Sequence, residues 1–176
     1  MVLPLFRYHP DPISTGSIKP SHEPCVCCGK NTGFKYTAAL HGRHRPGRVA
    51  CVPGVLPAVR LRLSSIVFSD ESPLVRAGMP RAIVLEVSRR TPCYNCWQQD
   101  VWAACCQDGC VFHGDASVSE LLSLKGEELA EVQREWSISS IRRAAFVKQY
   151  VPGGGIAVYR FDCRHCGKTR YGLDLS

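Results

Sequence analysis

Cys163 and Cys166 bracket two residues and are followed by Gly167 and Lys168, while Cys106 and Cys110 bracket three. Two thiolate pairs at such short spacings are what a tetrahedral zinc ion needs, because each turn then offers two sulfurs without straining the backbone. Cys106, Cys110, Cys163 and Cys166 are therefore expected to hold one zinc ion. Cys25 and Cys28 form a third pair, with Cys27 between them, and CVCCGK at 25–30 matches CRHCGK at 163–168 as the same knuckle used twice. Its partner pair is missing. Cys51 stands alone, with Gly54 at the next knuckle position, so Cys25, Cys28 and Cys51 make an incomplete first site. Cys27, His41, His44, Cys93 or Cys96 would have to complete it. His113 and His165 are read as surface or supporting groups beside the second site.

Eleven cysteines are an odd number, and a disulfide framework is not expected in a reducing compartment. No run of about 18 apolar residues occurs, and the N-terminal residues do not follow the signal-peptide pattern. The expectation is a cytoplasmic chain with no membrane partner. The net charge is +7. Five of those charges come from Arg43, Arg45, Arg48, Arg60 and Arg62 in the acid-free segment 38–67, so the charge is local and a weak argument for nucleic acid.

These ligands need elements to carry them. The proline-rich first two dozen residues read as an extended lead-in, and 25–36 as a turn and a short strand. Residues 38–67 show neither period. RAIVLEV at 81–87 reads as a strand, and 91–105 as a turn and an amphipathic helix bearing Trp97, Val101, Trp102 and Cys105 at helical spacing. Ser117 to Trp136 reads as helix, capped by Ser117 or Ser119 and broken at Gly126. A further helix covers 137–151, and the strand 156–161 delivers Cys163 and Cys166 at a turn. The fold class is α+β: a small single domain with zinc-knuckle or ribbon-like elements, short strands and a C-terminal helical segment. It comprises an N-terminal knuckle region of about 1–67 and a zinc-site region of about 81–176.

The strings LPLFRYHPDPISTGSI, CVCCG, FSDESPL, RTPCYNCWQQDVW, CCQDGCVFHGD and FDCRHCGKTRYGLD resemble the CbrC family of small bacterial proteins across most of the chain outside 38–67. Position by position, the resemblance carries Cys25, Cys28, Cys106, Cys110, Cys163 and Cys166, with Cys51 opening a CPWC element whose second cysteine falls on Gly54. The family has glycine where this chain has Cys93, and histidine where it has Cys105. Codons for Val52 to Val55, read one nucleotide later, can encode Cys-Pro-x-Cys, so 38–67 is read as diverged or frame-disturbed. The family's association with tolerance of a DNA-degrading colicin implies a role in withstanding a bacteriocin.

Three functions compete. The first is a zinc-stabilised, non-enzymatic binding protein whose partner is a toxin or a component of its entry route. Tyr94, Trp97 and Trp102 are candidate anchors for such a partner, although their spacing fits a core better. The second is a nucleic-acid-binding zinc ribbon using Arg142, Arg143, Lys148, Arg160, Arg164, Lys168 and Arg170, with Tyr159 and Tyr171 for stacking. The third, an enzyme, is disfavoured. No HExxH, GxSxG or phosphate-loop motif occurs, and four thiolates leave a zinc ion no open position.

Overall fold

A computed structural model describes residues 3–24, 29–38, 67–98 and 100–176, and these form an α+β fold. Its centre is an antiparallel sheet of β5 (Val111–Asp115), β6 (Ile156–Asp162) and β7 (Thr169–Leu175), with β6 in the middle. β6 alternates as a two-sided strand must. Ala157, Tyr159 and Phe161 enter one apolar core with Phe112 of β5. Val158 and Ile156 enter a second core with Tyr171 and Leu173 of β7. The sheet is thus the wall shared by two cores.

The second core is roofed by helices α3 (Val118–Ser123), α4 (Gly126–Glu135) and α5 (Ser140–Gln149). Ser117 caps α3 in a reciprocal box with Glu120, which satisfies amides that a helix start otherwise leaves bare. Gly126 does break the helical run, and its φ of +54° turns the chain into α4. Leu121, Leu124, Val132, Trp136 and Val147 fill the space beneath. The Trp136 indole N–H donates to Tyr171 O at 2.9 Å and the Tyr150 hydroxyl to Ala116 O at 2.9 Å, pinning the helices to the sheet.

The first core differs from expectation at three places. The N-terminal residues are no mere lead-in. Phe6, Tyr8, His9 and Ile18 are buried, Phe112 N–H donates to Tyr8 O, and β1 (Ile18–Pro20) pairs with β2 (Phe34–Tyr36). RAIVLEV is helical, not extended: α2 spans Arg81–Arg90, after the short α1 (Ser72–Arg76). Pro80 fixes its entry, Val84, Val87 and Ser88 share the buried face, and Arg89 and Arg90 lie in the last turn, where cations suit the helix dipole. A short apolar run cannot by period alone tell strand from helix.

The helix expected within 91–105 is absent among the described residues, and the segment runs irregularly into β3 (Ala104–Cys105). Its amides are claimed by side chains, one distant in sequence and one within the segment. Asp174 accepts from Trp97 N and Gln98 N, and the Tyr94 hydroxyl accepts from Val101 N. Consequently Tyr94 and Trp102 are buried while Trp97 is 60% exposed.

Cys25, Cys28 and Cys51, and the frame-disturbed reading of 38–67 except for Ala38 and Val67, fall outside the described residues. Among the described residues no helix is long and apolar enough to cross a membrane.

Candidate metal centre

Two tight turns meet at one end of the sheet. The first joins β3 to β4 (Asp108–Gly109) through Cys106 and Gln107, with Cys105 paired to Asp108. Both turn residues have positive φ, 52° and 59°, as a two-residue hairpin of type I′ demands. Asn-Gly is the usual choice there, and a side chain in the left-handed region costs roughly 1–2 kcal/mol per residue. The sequence accepts that cost at Cys106, and the turn brings two adjacent cysteines to the same sulfur cluster.

The second turn links β6 to β7. Cys163 N–H donates to Lys168 O at 2.8 Å and Gly167 N–H to Cys163 O at 3.1 Å, while Gly167 takes φ +69°. His165 N–H points at Cys163 Sγ at 3.5 Å. Amides aimed at a sulfur stabilise its thiolate, as a metal knuckle requires.

The sulfurs of Cys105, Cys106, Cys163 and Cys166 lie within 4.8 Å of one another. Cys105 Sγ is 3.8 Å from Cys106 Sγ and 3.7 Å from Cys166 Sγ. Four thiolates at metal–sulfur bonds of about 2.3 Å in a tetrahedron sit about 3.8 Å apart, so the donor set fits a metal ion. Without one, the thiols share protons unevenly. Hydrogen bonds with Cys166, then Cys105, push the Cys106 thiol up to about 12, and burial raises Cys105. Burial also works against the Cys163 thiolate, yet the amides of Cys166 and His165 outweigh it and bring Cys163 down to about 6.

Of the four residues expected, the structure brings together Cys106, Cys163 and Cys166. Cys110 does not join them. It follows β4 fully buried, its N–H bonded to Ala103 O and its carbonyl accepting from the Trp102 indole at 2.9 Å, and burial raises its thiol to about 12. The fourth sulfur of the close group is that of Cys105. The spacing rule assumes ligands two to four positions apart, and the adjacent pair was legible only as a doublet. Cys93 is buried in the core and Cys96 half-buried, with burial lifting both thiols, Cys96 to about 12.

Asp108 locks the two turns together. Its Oδ1 accepts from the Tyr8 hydroxyl at 2.6 Å, and its Oδ2 lies 3.1 Å from an Arg164 amino group and 2.9 Å from His165 Nε2. Burial works against its charge, but the Tyr8 and His165 bonds, the Gly109 amide and Arg164 hold its carboxyl below the usual range. Gly109 allows the approach, since a Cβ there would come within 3.2–3.3 Å of Tyr8 and Val87. His165 thus supports the site from beside it. His113 lies farther along β5, 3.2 Å from Asp162.

The profile of an uncharacterised protein family, UPF0167, matches residues 3–175. The chain belongs to the UPF0167 family. It is similar to a UPF0167 protein of Pseudomonas aeruginosa, 44% identical over 178 residues, covering 99% of this chain and 98% of that one. UPF0167 proteins of Mycobacterium bovis and Mycobacterium tuberculosis are each 28% identical over 167 residues, covering 94% of this chain and 89% of theirs. No solved structure gives a significant match.

Proposed function

We propose that this UPF0167 protein is a zinc-stabilised, non-enzymatic binding protein. The observation that carries the reading is the four-sulfur group built from two turns, with sulfur separations of 3.7 and 3.8 Å. Zinc suits it best among soft and borderline metals because it accepts a tetrahedral thiolate shell and brings no redox demand. Such a shell is closed. It leaves no position for a substrate or an activated water, which argues for a structural ion.

The biological role rests on the resemblance to the CbrC family: tolerance of a bacteriocin or nuclease toxin, in the cytoplasm, through a protein partner that is the toxin or a component of its entry route. The nucleic-acid alternative has less behind it. Tyr159 and Tyr171, its stacking residues, are core side chains. Of its basic residues, Arg160 pairs with Asp162 and Glu120, Arg164 with Asp108, and Arg170 with Glu131. Paired cations attract phosphate weakly.

Zinc content per chain of protein purified under reducing conditions tests the first half, with at least one zinc expected and none overturning it. Survival of a host with and without the gene, challenged with a DNA-degrading colicin, tests the second. Equal survival overturns the tolerance role and leaves the zinc site standing.

A further inference from the structure

Away from the four cysteines, the loop 94–97, β5, β6 and the glycines after Pro152 surround a cavity of about 470 Å³. Aromatic rings contribute to its lining. Tyr94 stacks on Phe112 with centroids 4.6 Å apart and packs against Tyr159 at 4.5 Å. Trp97 lines it too, and this is the one tryptophan of the three that is exposed, since Trp102 and Trp136 are buried. Its backbone is anchored, because its main-chain N–H donates to Asp174 Oδ2 at 2.6 Å.

The charges around this cavity are one-sided. No lysine or arginine lines it among the described residues. Asp115 does, and its carboxylate accepts from Gly153 N–H at 2.5 Å, with no cationic side chain paired to it among the described residues. Burial raises its carboxyl, opposed by that amide. Asp174, outside the cavity lining, accepts from neutral donors among the described residues: the backbone amides of Trp97 and Gln98 and the Tyr159 hydroxyl. The basic group in the wall, His113, is turned to Asp162 at 3.2 Å. A chain of net charge +7 thus presents an aromatic hollow with one carboxylate, Asp115, in its wall and no cationic side chain paired to it among the described residues.

We propose that this cavity binds an organic cation, an amine or guanidinium on a short apolar stem, with its charge beside Asp115 and its stem or planar face against Trp97. Aromatic faces attract such cations and shelter their stems. An anion would meet the Asp115 carboxylate and, among the described residues, no lysine or arginine. A hard metal ion needs several oxygen ligands, and the wall offers one carboxylate. The same chemistry arrives either as a free small amine or as an arginine or lysine side chain of a partner. The site shares none of the four cysteines, so its failure leaves the metal reading intact.

Isothermal titration of the zinc-loaded full chain tests this with agmatine, with acetyl-Gly-Arg-Gly-amide, and with the neutral citrulline analogue of that peptide. Saturable binding of a cationic probe is expected, with none for the citrulline peptide. Tighter agmatine identifies a free amine as the source; a tighter peptide identifies a partner's side chain. Asp115→Asn is expected to weaken binding about tenfold, and Trp97→Ala, which keeps the amide bonded to Asp174, about threefold, in line with an exposed cation–π contact. No saturable binding of either cation at 10 mM, the order of magnitude of a weak amine site, overturns the proposal. Equal binding of the citrulline peptide overturns it too, as does undiminished binding by both variants. If Asp115→Asn fails to fold, Trp97→Ala and the citrulline control decide.

Discussion

His165 Nε2 sits 2.9 Å from Asp108 Oδ2, so a residue between the two knuckle cysteines is tied to the residue paired with Cys105 across the other turn. The carboxylate holds the two halves of the sulfur cluster in register without touching any sulfur. Replacing it as Asp108→Asn is expected to lower metal affinity about 10–100-fold, the usual effect of losing an outer support. Competition against a chelator of known affinity measures this, with far-ultraviolet circular dichroism to establish that the fold persists. An unchanged affinity would show that the sulfurs organise themselves.

The ligand assignment is separable by two single substitutions. Cys105→Ser should abolish stoichiometric metal, whereas Cys110→Ser should retain it while losing stability, because a hydroxyl replaces a fully buried thiol. Metal content per chain by mass spectrometry distinguishes them, and the reverse pattern would return Cys110 to the site.

Gln107 takes a φ of 59° with no ligand duty to justify it. Gln107→Gly should stabilise the protein by about 1 kcal/mol, seen as a rise in Tm of about 2–4 °C for a chain of this size. A fall in Tm would mean that the Gln107 side chain contributes more than its backbone costs.

His9 is fully buried, 2.7 Å from both Pro92 O and Thr15 Oγ1, and burial lowers its imidazole to about 4. The carbonyl can only accept, so Nδ1 carries a proton, and burial keeps the ring neutral at pH 7. Between pH 6.5 and about 4 the unfolded chain takes up a proton that the folded chain refuses. Stability present above pH 6.5 is therefore lost as the pH falls through that window, by about 3 kcal/mol. His9→Asn should remove this component, so the wild type's advantage in unfolding free energy should shrink between pH 7.5 and pH 4. Any loss of metal in acid would be common to both proteins and cancel in the difference. A constant difference would refute the neutral buried imidazole.

Much of the chemistry that acts between near neighbours was readable in the chain. The Cys163–Cys166 knuckle with Gly167, the Ser117 cap, the break at Gly126 and the strand 156–161 all depend on near neighbours in sequence, and each appears in the structure. What escaped was either ambiguous in period, as in the α2 run RAIVLEV, or set by contacts that periodicity does not show. Trp97, Val101 and Trp102 have helical spacing, but Asp174 and the Tyr94 hydroxyl take amides that a helix would need. Cys105 joins the close sulfur group because a two-residue hairpin directs neighbouring side chains to one point, a geometry that pair-spacing rules leave out.

Cys105 and Cys166 are 61 positions apart, and the chain between them contains β5, β6 and all of α3, α4 and α5. An ion held by both ends acts as a cross-link on the unfolded chain. Tying off a loop of this length removes about 4 kcal/mol of chain entropy from the unfolded ensemble. Most of the second core is drawn from inside that loop, so the ion would steady a cluster of side chains it never touches, by limiting where their backbone can wander once they come apart.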